Sequence, residues 1–313
     1  MEKGGTFYVS EHSGFLLKNC SVTNSYAKYG SIFYFQENYE GLFTIENVDF
    51  YLCEGMFDLI DAGQTNMVIT NSTFRQNLNN FCFLVFSNIE FVNSRIIDHQ
   101  CFTNLPGCII NAITNSVVIF RSSIFENISS FIEEGNVYLE DSVVQCVSSQ
   151  MKTLMSNKNK GSCFSSYTST LFMNDSQLTD YTANCLYSME SYITIHNSIF
   201  DNSLLNETQN LYDYGTIYCE NCFIIMIDFS SFIGNSKTIN GSAIFIISNS
   251  PNLLNTAQIS NSYFYDNNAL EAGTIYVYNQ NSSLILNIFE GNSANRGGGI
   301  FCDNDSNFAK VNF

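Results

Sequence analysis

Basic residues are scarce in this chain. Twelve lysines and arginines stand against 29 aspartates and glutamates, a formal charge of −17, so a polyanion such as nucleic acid is repelled rather than gathered. Long apolar runs are missing as well. The longest, Cys222 to Ile227 and Ala243 to Ile247, are strand-sized, far below the roughly 18 to 20 residues of a membrane helix. The opening MEKGGTFYVSEHSG lacks a basic stretch followed by an apolar one, so no secretory signal is read there and secretion would need residues upstream. Tryptophan is absent and proline occurs twice, beside abundant Asn, Ser, Ile, Phe and Tyr, a composition that points to an AT-rich genome. No segment holds a 3.6-residue apolar period between helix caps. With 45% apolar and 15% aromatic residues, the chain nonetheless folds.

What is present is a repeat. TNSTFRQN (70–77), RSSIFEN (121–127), HNSIFDN (196–202), FSSFIGN (229–235), SNSYFYDN (260–267) and LNIFEGN (286–292) are copies of one motif. Anchoring on its apolar residue gives Val22, Phe50, Phe74, Ile96, Phe125, Val144, Leu178, Phe200, Phe232, Phe264 and Phe289, spaced about 19 to 34 residues apart with a mean near 27, a solenoid period. A glycine-led strand follows most anchors: GSIFY (30–34), GCIIN (107–111), GTIYC (215–219), GSAIFI (241–246), GTIYV (273–277) and GGGIFC (297–302), with GGTFYV (4–9) at the start. The triple glycine 297–299 is therefore one copy of this strand. It is not a phosphate loop, which would sit between a strand and a helix.

Alternating runs such as YITIHNSIF and AQISNSYF are strands with one buried face. Short strands, two or three per repeat, with Asn, Ser and Gly at the corners predict an all-β chain: a single-stranded right-handed parallel β-helix of about eleven coils. Residues 1–313 read as one continuous β-helical segment with irregular loop inserts near 151–165 and 203–214. Both ends look cut within a repeat, the mark of a fragment of a longer array.

The pairing of F-x-x-N with G-G-x-I resembles the repeat of chlamydial polymorphic outer-membrane proteins. F-x-x-N stands at Phe74/Asn77, Phe232/Asn235, Phe264/Asn267 and Phe289/Asn292, and a one-residue-shorter form at Phe125/Asn127 and Phe200/Asn202. The resemblance covers nearly the whole chain and is closest from about 215 to 302. It implies a pectin-lyase-like β-helix, as in autotransporter passengers and related protist surface proteins, and a role in adhesion.

Concentrated chemistry is sparse. The eleven cysteines do not form a small disulfide framework, and Cys219/Cys222 lack a second pair at zinc spacing. Three readings stand: buried core thiols, the favoured one because Cys219, Ile246, Val277 and Cys302 align at one inward position; one or two coil-to-coil disulfides; or metal ligation. Pectin-cleaving enzymes share the fold, but their chemistry needs clustered acids or calcium beside a basic residue. Here only His12, His99 and His196, and Arg75, Arg95, Arg121 and Arg296, are available. The best local cluster is Asp98-His99 with Arg95 and Arg121, read as turn residues on a solvated edge. Asp303 to Asn307 has the alternating oxygens of a calcium loop without its glycine and closing glutamate, and reads as a polar corner. Lys152, Lys158 and Lys160 make a basic spot. Sequons at Asn19, Asn71, Asn127, Asn174, Asn206, Asn240, Asn281 and Asn304 are as frequent as chance allows and merely permit secretion.

No catalytic, cofactor-binding or metal-ligating residue and no cofactor is assigned. The expectation is a non-enzymatic segment of a cell-surface or secreted protein, acting in adhesion or as a stalk. Its partners are glycans or surface proteins, with no nucleic acid. The alternative is a carbohydrate-active β-helix enzyme, lyase or hydrolase, with a degenerate or missing site, which requires three or more acids within about 6 Å of one another on the lateral groove.

Overall fold

The computed structural model describes residues 5–9, 14–35, 42–102, 106–130, 135–156, 161–182, 184–202, 212–236, 238–249, 255–303 and 308–312. Their regular structure is all β, with no helix, and so no helix long and apolar enough to cross a membrane. The chain divides into two compact units, Met1–Lys158 and Asn159–Phe313. Each is a parallel β-helix in which a strand pairs in register with its counterpart one coil away. Three strands make a coil: a leading strand before the Asn-Ser pair, an anchor strand after it, and the glycine-led strand.

In the first unit the anchor row runs Val22, Phe50, Phe74, Ile96, Phe125, Met151. In the second it runs Leu178, Phe200, Phe232, Phe264, Phe289. Six rungs and five make eleven coils among the described residues. Rings stack along these rows, Phe50 on Phe74 at 4.4 Å and Phe232 on Phe264 at 5.0 Å between centroids, and fill the interior.

One anchor differs from expectation. Val144 pairs with Val118 on the leading strands, and the residue opposite Phe125 is Met151. Asp141-Ser142 turns the chain as an Asn-Ser pair does but at the preceding corner, which drew the motif one strand too early. The strand Gln150–Ser156 follows the true corner, Ser148-Ser149.

The corners explain the motif. The first residue of each pair lies in the left-handed region, as at Asn71 (φ 49°), Asn93 (49°), Asn197 (45°) and Asn261 (49°), which Asn tolerates best among residues with a side chain. The serine that follows points inward. Its hydroxyl donates to the carbonyl two residues back, and its oxygen accepts the serine N–H of the adjacent coil, in the series Ser72, Ser94, Ser123, Ser149 and again Ser176, Ser198, Ser230, Ser262. Successive rungs lie 22, 29, 26, 22, 32 and 32 residues apart, so coil length varies while register does not.

The Asn of F-x-x-N forms a second ladder. Asn267 Oδ1 accepts from Asn235 N at 3.0 Å, and its Nδ2 donates to Phe232 O at 2.9 Å. The shortened motif is a different position: Asn127 is the exposed left-handed residue (φ 55°), and Ile128 takes the inward place. At the glycine-led strands the chain again turns left-handed, for example at Gly241 (φ 56°), where a Cβ would press on Ile244 O at 2.5 Å.

Removing a ladder amide strands buried groups on both neighbouring coils. Asn267→Ala is expected to lower stability by about 2 to 4 kcal/mol, whereas Asn261→Gly, at an exposed left-handed corner, should stay within about 1 kcal/mol. Denaturant unfolding of the whole chain measures both.

Candidate functional site

In the second unit the glycine-led strands Leu186–Met189, Ile217–Glu220, Ile244–Ile247, Ile275–Tyr278 and Ile300–Asp303 stack in register. Period-two alternation sends one set of side chains inward and the other out. The row that faces away from the axis is Tyr187, Tyr218, Phe245, Tyr276 and Phe301, with centroid separations of 4.8, 5.6, 4.6 and 5.5 Å and interplanar angles of 8°, 6°, 9° and 21°; Tyr218 and Phe245 are buried, with Tyr214 packed on both. Arg296 caps Phe301 at 4.9 Å. Two positions on runs a row holding Glu220 and Asp303, which accept the hydroxyls of Tyr218 (2.8 Å) and Tyr276 (3.3 Å). Burial and then Glu220 push the Tyr218 phenol well up; burial and then Asp303 push Tyr276 up to about 12. Because each ring covers its neighbour's face, what remains open to a ligand is the edges of Tyr187, Tyr276 and Phe301 and the carboxylates of Glu220 and Asp303 rather than π-faces.

The first unit holds a different centre. His99 occupies the inward Asn position of its coil: Phe74-Arg75-Gln76-Asn77 is answered by Ile96-Ile97-Asp98-His99. The imidazole is fully buried, edge-on to Phe81 at 6.1 Å. Its Nε2 lies 2.6 Å from the carbonyl oxygen of Asn79; a carbonyl only accepts, so Nε2 carries the proton. Nδ1, equally buried, has no hydrogen-bond partner. Beside it Cys101 and Cys108 form a disulfide. Among the described residues, His99, Cys101 and Cys108 are the group of three His, Cys, Asp or Glu whose ligand atoms all lie within 4.8 Å of one another.

Other residues singled out from the sequence are dispersed. Asp98 is indeed an exposed corner residue (φ 52°), bonded to Asn127 Nδ2 at 3.0 Å, but His99 points into the core rather than along a solvated edge. Arg121 pairs with Glu90 at 2.5 Å, not with Asp98. His196 lies 3.7 Å from Asp228. The disulfide spans seven residues within one coil, unlike the coil-to-coil bridges considered. Cys163 and Cys185, one coil apart, bring their sulfurs to 2.9 Å without a disulfide between them. Cys53, Cys82 and Cys219 are buried free thiols whose pKa values burial raises. Cys219, Ile246, Val277 and Cys302 share one register row, although Cys302 is exposed. His12, Lys158, Lys160, Asn206, residues 203–211 and Asn304 to Asn307 lie outside the described residues.

One buried carboxylate escaped sequence reading. Asp58, 3% exposed, accepts the Gly30 N–H at 2.8 Å. Burial, then the charge of Asp61, raise its pKa to about 7. No periodic signal distinguishes it from a surface acid.

Asp58 and His99 give opposite pH dependences. Asp58 keeps its proton in the folded chain up to about pH 7 while the unfolded chain has lost it near 4, so this group's contribution falls as pH rises through that window. His99 has its pKa lowered to about 4 by burial, against the pull of the Asn79 carbonyl. Its contribution is full above about 6.5 and is lost as pH falls toward 4. Each slope is about 1.4 kcal/mol per pH unit, and they oppose one another between pH 4 and 6.5. Relative to the parent, Asp58→Asn should therefore gain stability as pH rises from 4 to 7, and His99→Asn should lose it from 4 to 6.5. Unfolding free energies at half-unit pH steps test both signs.

No protein-family model matches the chain, and no curated protein matches it. Among solved structures it is similar to the catalytic unit of a thermostable GH87 alpha-1,3-glucanase from Streptomyces thermodiastaticus strain HF3-3, at 9% identity and a TM-score of 0.31, covering 96% of this chain and 60% of that one. The chain thus spans less than two thirds of that protein's length.

Proposed function

We infer that the chain is a non-enzymatic β-helical segment of a cell-surface or secreted protein, and that it acts in adhesion by presenting the glycine-strand face of its second unit. The observation that carries this reading is the outward row from Tyr187 to Phe301 with Glu220 and Asp303 beside it. A phenol bonded to a carboxylate recurs two coils apart, at Tyr218 with Glu220 and at Tyr276 with Asp303, a repeat of about 10 Å from a coil step of about 4.8 Å, which suits an extended, repetitive ligand such as a glycan chain. The −17 charge selects against polyanions. The Cys101–Cys108 disulfide supports an oxidising compartment. The F-x-x-N and G-G-x-I pairing supports kinship with the repeats of polymorphic outer-membrane proteins and protist surface proteins, whose adhesive role this reading shares.

The test uses the full chain immobilised on inert beads and challenged with neutral and anionic polysaccharides. Retention of a neutral glycan, weakened about tenfold or more by Glu220→Gln with Asp303→Asn, and no retention of heparin are expected. Release of reducing sugar or unsaturated product from any of these polymers would overturn the non-enzymatic reading, and heparin retained as tightly as neutral glycan would overturn the assigned face.

A further inference from the structure

We propose that Cys101, Cys108 and His99 form a site for a soft d¹⁰ cation, Zn(II) or Cu(I), which the disulfide closes and two-electron reduction opens. The ligand atoms already lie within 4.8 Å of one another, and all three residues are fully buried. Thiolate and imidazole are the donors that soft ions take. The histidine is also arranged as metal-bound histidines are: its far nitrogen donates to a backbone carbonyl, Asn79 O at 2.6 Å, which fixes the tautomer and leaves a lone pair on the other nitrogen. That nitrogen, Nδ1, has no hydrogen-bond partner in the core, a costly state for a buried acceptor. A cation removes the cost.

Asn79 organises the surroundings from both ends. Its carbonyl holds the ring, and its Oδ1 accepts the N–H of Phe102, next to Cys101, at 3.4 Å. The rest of the F-x-x-N ladder shows what is unusual here. At three coils of the second unit the inward position is Asn, tied to the next coil by Asn235 N to Asn267 Oδ1 and Asn267 N to Asn292 Oδ1. In this coil an imidazole replaces that amide, with Cys101 and Cys108 beside it.

The chemistry balances. A dithiol reductant supplies two electrons and two protons; the Cys101–Cys108 bond breaks, two thiols form, and the reductant leaves as its own disulfide. The cation then displaces the two thiol protons, while neutral His99 releases none. With metal–sulfur bonds near 2.3 Å, the sulfurs part to about 3.8 Å in tetrahedral geometry. Three protein ligands leave a fourth position for water on Zn(II) or give a three-coordinate Cu(I).

Nine cysteines stand outside the disulfide in the oxidised chain and are thiols in both states, so the difference between the two states isolates the pair. The full chain, oxidised or reduced anaerobically with a phosphine and desalted, is titrated with Zn(II) and separately with Cu(I) against a chromophoric chelator. Reduction should add one equivalent of metal. Cys101→Ser with Cys108→Ser should abolish that equivalent, and His99→Asn should weaken it about tenfold or more. In the unaltered reduced chain, bound metal should slow alkylation of Cys101 and Cys108 about tenfold or more, read by peptide mass mapping, with Cys302 unchanged; this arm needs no variant to fold. Equal metal content in the two redox states, unprotected Cys101 and Cys108, or His99→Asn binding as tightly as the parent would each overturn the proposal.

Discussion

Every corner of a parallel β-helix turns backbone N–H groups toward the interior, and an interior that excludes water must supply an acceptor for each. Here the acceptor comes from the next coil. The serine oxygens at the leading corners and the asparagine amides after the anchors each serve a neighbour's backbone. The core of stacked phenylalanines depends on this arrangement, because aromatic rows can close over the axis only if the polar backbone beside them is satisfied. Net stabilisation per hydrogen bond is small, about 1 kcal/mol, but an unpaired buried group costs more. The ladders are therefore a condition of folding rather than an ornament of it.

Seen this way, the exceptions cluster where a ladder position carries a different residue. Cys53 sits at the inward Asn place of its coil, its N–H taken by Asn77 Oδ1 at 2.8 Å. Cys222 follows left-handed Asn221 as serine does at other corners, its thiol 3.6 Å from Ser188 O. Tyr181, fully buried, reaches across to Asn235 Oδ1 at 2.5 Å and joins Thr216. His99 is a departure that leaves a polar atom, Nδ1, unserved, as Gln280 does after left-handed Asn279.

Much of this was legible in the sequence because ladder positions repeat. Phe232, Phe264 and Phe289, the glycines, and the Asn-Ser pairs recur with little change, and all ten anchors other than Val144 hold the assigned row. What was not legible has a common physical cause. All three corners of a coil use the same two-residue grammar, a left-handed residue and then a small polar one, so Asp141-Ser142 could stand for the wrong corner and Asn127 for the wrong side of it. Whether His99 faces solvent or core depends on a one-residue phase that only pairing with Ile128 resolves. Asp58 rests on a contact with Gly30 one coil away, and the intra-coil disulfide on proximity across a turn, for neither of which a spacing rule exists.

The serine rungs have a further consequence for how such a gene can change. Rungs 22 to 32 residues apart still meet in register, so the coil, not a fixed number of codons, is the unit of inheritance. Duplicating or losing one whole coil brings an equivalent left-handed residue and serine to every junction and leaves both flanking coils with their partners. A single-codon slip within a strand instead turns its buried face outward. Length variation among descendants of this chain should thus arrive in whole coils and in loops, with strands kept intact.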